Sequence, residues 1–160
     1  SVYFVAHKIL HYDGSSWEYL EGLPERNYHA IWGSDENDMY LVGSNEVDDY
    51  GVIHHYDGVS WSEVKTTEYP LYHVWGTSSD DVYVSGSHEK LYHYDGYVWE
   101  EVELPISGDG AIWMRSIGDI WGRADDDIYI GGKQVLHFNG NKWEEVKKGS
   151  PRFLWKPGVS

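Results

Sequence analysis

A length of 160 residues suits one domain, and 41% hydrophobic content excludes a disordered chain. The formal charge of −15, from 27 acidic and 12 basic residues, argues against partners with nucleic-acid backbones or anionic membrane surfaces. There is no cysteine, which excludes disulfides, thiolate metal sites and cysteine nucleophiles.

Aromatic residues reach 16%, with nine Trp and fourteen Tyr. Flat side chains favour pleated surfaces. The chain opens on a strand-like segment, Val2-Tyr3-Phe4-Val5, with no signal peptide read before it and no run of transmembrane length. It therefore reads as a mature form or a cut piece. His11-Tyr12-Asp13-Gly14 follows, with Trp17 four residues after the Asp.

This peptide recurs as His55-Tyr56-Asp57-Gly58 with Trp61, His93-Tyr94-Asp95-Gly96 with Trp99, and His137-Phe138-Asn139-Gly140 with Trp143. The Asp/Asn positions step by 44, 38 and 44 residues. A second landmark is Trp-Gly, at Trp32-Gly33, Trp75-Gly76 and Trp121-Gly122. Each of these Trp precedes a Tyr by eight: Tyr40, Tyr83 and Tyr129. One unit thus reads as four short strands. Strand A ends in Trp-Gly, strand B carries the Tyr, strand C runs into His-Tyr-Asp-Gly, and strand D begins at the next Trp. The Asp-Gly and Asn-Gly pairs suit tight hairpin turns. Strand B is apolar on consecutive residues, as expected where both sheet faces are buried.

A repeat of this length, with four strands per unit, predicts an all-β protein, a β-propeller with about four blades. The predicted blades are 2–22 (strands B to D only), 27–66, 71–104 and 117–148. Residues 152–156, around Phe153-Leu154-Trp155, are the candidate closing strand beside Val2–Val5. The alternatives are a closed small ring and half of a larger ring, completed by a second chain (a homodimer) or by further sequence.

The sequence resembles kelch-type propellers and the related tryptophan-rich bacterial propellers. The residues that carry this are Ile128-Tyr129-Ile130-Gly131-Gly132, the Tyr-Asp before each turn, the later Trp, and the pairs Leu23-Pro24 and Leu104-Pro105. The resemblance covers nearly the whole chain and implies fold rather than activity. The kelch-type copper oxidases use a cysteine-linked tyrosine, which this chain cannot form.

In such a meander the A–B and C–D turns share one end of the sheets, and here their spacings are constant. The B–C and D–A loops share the other end and vary. Tyr to Tyr/Phe spans 9, 16, 11 and 9 residues, and Trp to Trp spans 15, 14 and 22. Variable loops on a rigid scaffold are the expected binding face. Its candidates are the insert carrying Asp48, Asp49 and Tyr50, the loop Ile106 to Ser116 with Trp113 and Arg115, and the strand A starts Tyr28, His29, Tyr72, His73 and Asp119.

The recurrent His11, His55, His93 and His137 read as structural, because repeat positions spread around a ring instead of converging. The Asp runs at 35–38, 80–81 and 125–127 read as turn chemistry. No cofactor is expected, with Asp48-Asp49 the best calcium candidate. No nucleophile elbow, phosphate loop or zinc helix motif is present. The favoured function is a non-catalytic binding module for a protein or a glycan, in an extracellular or cell-surface setting. The alternative is a fragment of a polysaccharide-acting enzyme using Asp/Glu catalysis.

Overall fold

The computed structural model describes residues 2–5, 8–45, 47–106, 117–132 and 134–146. They form fifteen strands in four antiparallel sheets, and every sheet is a meander of consecutive strands. Blade 1 has three strands: β1 (Val2–Val5), β2 (Ile9–Tyr12) and β3 (Trp17–Tyr19). Blade 2 has four: β4 (Asn27–Asp35), β5 (Asp38–Ser44), β6 (Gly51–Tyr56) and β7 (Trp61–Thr67). Blade 3 comprises β8 (Leu71–Ser78), β9 (Asp81–Gly86), β10 (Leu91–Tyr94) and β11 (Trp99–Glu101). Blade 4 comprises β12 (Ile120–Ala124), β13 (Asp127–Ile130), β14 (Leu136–Phe138) and β15 (Trp143–Glu145). All four predicted strand D starts coincide with their Trp. The expected closing strand at 152–156 lies outside the described residues.

The register explains the repeat. Trp32 pairs with Tyr40 and Tyr40 with His55; Trp75 pairs with Tyr83 and Tyr83 with His93; Trp121 pairs with Tyr129 and Tyr129 with His137. Directly opposed residues share a face, so each sheet shows a Trp–Tyr–His row on one side. Tyr3 opposite His11 is the shorter row of blade 1. The other side carries the aliphatic neighbours of that Tyr, the strand C aromatic and the strand D Trp, as in Val82, Val84, Tyr94 and Trp99.

Successive blades pack these unlike faces together. Tyr40 of blade 2 meets Trp99 of blade 3 edge-on at 5.8 Å, and Tyr83 of blade 3 meets Trp143 of blade 4 at 6.4 Å. The Tyr40 hydroxyl donates to the Ser79 carbonyl at 3.2 Å across the same joint. Trp32 and Trp75 each lie against the next blade's Trp-Gly glycine. A Cβ on Gly76 would stand 2.8 Å from Cη2 of Trp32, and one on Gly122 would stand 2.4 Å from Cη2 of Trp75. The glycine is thus required by close approach. Val82, Val84, Ile128 and Ile130 are buried in these joints, each stabilising by about 1.5–3 kcal/mol. In blades 2 and 3 strand B is apolar on both faces because it has a neighbouring blade on each side.

The His-Tyr-Asp-Gly segments form the hairpin turns expected of them, each four residues long. Tyr56 pairs with Trp61, so Asp57 to Ser60 form a four-residue turn. Only the glycines take positive φ there: Gly14, Gly58, Gly96 and Gly140. The Asp57 carboxylate accepts the amides of Val59 and Ser60 at 2.9 and 2.8 Å, and Asn139 accepts those of Asn141 and Lys142. Side-chain capping of the turn favours Asp or Asn at this place.

Candidate functional site

The strand A starts carry a recurrent irregularity. The β4–β5 register shifts between Tyr28 and Ala30, and the β8–β9 register between Leu71 and His73. His29 and Tyr72 are the extra residues, at equivalent places three before Trp32 and Trp75. A β-bulge re-aims the side chain it carries. The two rings come within 5.0 Å of one another, across two blades. Ser44 Oγ stands 3.5 Å from Nε2 of His29.

One position further along, His73 of blade 3 and Asp119 of blade 4 form the next contact, Nδ1 to Oδ1 at 3.9 Å. His29, Tyr72, His73 and Asp119 are therefore brought together from three successive blades. Asp119 is 89% exposed, so its carboxylate is fully available to solvent. Partial desolvation lowers the pKa of His29, and the neighbouring His73 lowers it further. Desolvation also lowers His73, against the opposing pull of Asp119. This patch thus holds two neutral imidazoles at pH 7, able to donate and accept, a phenol and one carboxylate.

The remaining sequence candidates sit elsewhere. Tyr28 is turned into the core between blades 1 and 2, and its hydroxyl donates to the Pro24 carbonyl at 3.2 Å. Burial pushes its pKa up to about 12, with Arg26 opposing and Glu63 adding to the shift. Tyr50 packs on that same core and receives a hydrogen bond from Asn45 Nδ2 at 2.9 Å. It shapes the insert from within. Asp48 and Asp49 are exposed, with Asp49 at φ 55, and no described contact ties them to that patch. Trp113 and Arg115 lie outside the described residues.

Two groupings escaped the sequence reading. His54 is buried beside Tyr28, their rings edge-to-face at 5.6 Å, and Glu63 and Arg26 stand nearby. Nothing in the repeat marks it, because it is the residue before the recurrent His. The second grouping is a chain of contacts at the constant end. His55, His93 and His137 bond Asp38, Asp81 and Asp127 at 2.5, 2.7 and 2.8 Å. Ser34 and Thr77, each at a second bulge of strand A, donate to Asp38 and Asp81. An Asp stands two residues before each of Tyr40, Tyr83 and Tyr129, which was the available signal. The hydroxyl bonds the carboxylate and not the imidazole, so this is no hydroxyl–imidazole nucleophile pair. A cleft of about 910 Å³ also opens at this end between blades 3 and 4, lined by Asp80, Asp95, Leu104, Asn141 and Trp143 among others.

Four similar sheets packed unlike face to unlike face agree with one comparison. Over 84% of its length the chain is similar to a solved structure described as YCF48 bound to D1 peptide, with 16% identity and a TM-score of 0.63. The fold is a β-propeller. This propeller chain spans 45% of the length of that YCF48 chain. No family model and no curated protein matches the sequence. The likeness carries the architecture and does not assign the propeller to the kelch-type group.

Proposed function

We propose that this propeller is a non-catalytic binding module for a polypeptide segment. The segment is engaged at the end of the sheets where β4, β8 and β12 begin. The observation that carries this is the convergence of His29, Tyr72, His73 and Asp119 from three blades onto one patch. Their chemistry suits a peptide. The imidazoles exchange hydrogen bonds with a main chain, the Tyr72 ring offers an apolar contact, and Asp119 pairs with a Lys, Arg or terminal ammonium. The charge of −15 steers cationic segments toward the whole molecule. The fold neighbour was itself solved with a peptide, which supports this class of ligand over a glycan.

The test is a displayed library of random twelve-residue peptides panned on the chain, with the selected peptides measured by calorimetry. The expected outcome is enrichment of peptides carrying a basic residue. The doubly substituted His29→Ala, His73→Ala chain should bind them at least about tenfold more weakly. Unchanged affinity in that variant, or amide shifts confined to Asp95, Asn141 and Lys142 at the opposite end, overturns the reading.

A further inference from the structure

The histidines of this chain are held in two ways. His55, His93 and His137 each bond a carboxylate and lie flat on a Tyr ring, which fixes both their place and their partner. Among the described residues, His29 and His73 have no carboxylate within hydrogen-bond reach. His29 is exposed on its bulge, and His73 is partly exposed, close enough to act on it electrostatically. Asp119 Oδ1 stands 3.9 Å from Nδ1 of His73, inside ion-pair range and outside hydrogen-bond range. Few groups face the two imidazoles. β5 offers Ser44 to His29, and β9 sets Ser85 opposite His73; both are uncharged. β8 presents Tyr72 and His73 to His29. The segment leading into β12 supplies Asp119, the one carboxylate that acts on His73 among the described residues. A patch whose single anion lies next to two titratable rings changes the sign of its charge with pH.

We infer that the patch is an acid-triggered release site: its basic segment is held at neutral pH and let go as the pH falls toward 5. The inference rests on the peptide reading of this same patch. At pH 7 both rings are neutral, and the exposed Asp119 carboxylate pairs with a Lys, Arg or terminal ammonium of the ligand. A proton taken up by His73 places an imidazolium 3.9 Å from that carboxylate, where it competes with the ligand's cation for the same oxygens. A second proton on His29 leaves one carboxylate against two imidazolium ions, and the patch then repels a basic segment. The rings also lose their capacity to accept a hydrogen bond from a peptide N–H in the same step. Desolvation holds both rings below the ordinary histidine value, so the change lies below about pH 6.5. The ligand binds the unprotonated patch more tightly, so binding there expels protons. Affinity then falls with pH by at most about tenfold per unit for each ring.

Calorimetric titrations at pH 7.5 and 5.0 test it. The probes are the basic peptides selected at pH 7.5, restricted to those without His, Asp or Glu so that the ligand itself does not titrate. For the wild type the dissociation constant should rise about tenfold or more between the two pH values. The His29→Gln, His73→Gln chain carries amides that donate and accept but take up no proton. Its rise should stay under about threefold, whatever its affinity at pH 7.5, because only the overall charge of the molecule still changes. Circular dichroism in the same buffers checks the fold. Proton release on binding at pH 6, read in buffers of different ionisation enthalpy, checks the same point under milder conditions and should vanish in the double variant. A wild-type affinity level across the pH range, or an equal rise in the double variant, overturns the inference and leaves the peptide reading intact. Failure to select any peptide at pH 7.5 overturns the peptide reading and the release with it.

Discussion

Nε2 of His93 lies 2.7 Å from Oδ1 of Asp81, and the imidazole lies flat on the Tyr83 ring with centroids 4.2 Å apart. The same stack of His on Tyr recurs as His55 on Tyr40, His137 on Tyr129 and His11 on Tyr3. Burial alone would raise Asp81, but the hydrogen bonds from His93 and Thr77 and the His93 charge outweigh it and hold the carboxyl below its usual range. The carboxylate fastens strand C to the A–B turn, and the stacked Tyr fastens strand B to the next blade.

His93→Ala removes a hydrogen bond to a charged group and a stacked ring, and should cost about 1.5–3 kcal/mol in urea unfolding. His11→Ala provides the contrast. His11 stacks on Tyr3, but its Nε2 has no hydrogen-bond partner among the described residues, and the position two before Tyr3 is Ser1 where the other units have Asp. The His11 substitution should cost less than the His93 one. Equal losses would show that the carboxylate contributes nothing.

His54 should make stability pH-dependent. Desolvation lowers its pKa, with Arg26 lowering it further and Glu63 opposing. As the pH falls, the unfolded chain takes up the proton first, near its ordinary value of about 6.5. The contribution of the neutral buried ring is therefore full above that pH and is lost as the pH falls through the lower folded value. The slope approaches about 1.4 kcal/mol per pH unit in that window. Urea midpoints between pH 7.5 and 5 should show it, and His54→Phe should make it shallower, with His29 and His73 keeping a share of the slope. An unchanged slope in that variant sinks the assignment.

Gly122→Ala should destabilise by about 1–3 kcal/mol, because the added methyl meets Trp75 at 2.4 Å and the Asp127 carbonyl at 3.0 Å. Gly131→Ala, nine residues along, meets nothing closer than the Asp119 carbonyl at 3.9 Å and should stay within about 0.5 kcal/mol of wild type. Thermal melts of the two variants decide it. Similar melting temperatures would deny that the Trp-Gly contact is a tight joint.

The Asp13 carboxyl should titrate at about 2 by carbon NMR. The backbone amides of Ser16 and Ser15 and the Ser15 hydroxyl hold its charged form. Asp13→Asn should keep the turn, since Asn139 already accepts the same two amides in blade 4. Titration near 4 would mean the turn is not capped in solution.

Much of this was legible in the chain before any coordinates. The strands, their order within a blade, and the turn positions follow from Trp17, Trp61, Trp99 and Trp143 and from the peptide that precedes each. These are local features, set by spacing along the backbone and by residues such as Gly58 that tolerate positive φ. The patch is legible in part: the distance of His29, Tyr72, His73 and Asp119 from Trp-Gly sets them at one end of the sheets. Tyr28 was placed there too, yet it is one residue from a bulge, and the bulge sends it into the core while His29 faces out.

What the sequence alone determined, then, is the repeating four-stranded unit, because hydrogen-bonded neighbours in a meander are also neighbours in the chain. Only the tertiary structure decided which Trp lies on which Gly, that His93 bonds Asp81, and that His29, Tyr72, His73 and Asp119 meet across three blades. Those relations join residues in different strands or different blades, and their geometry is set by how whole sheets twist and stack, which no short stretch of sequence encodes.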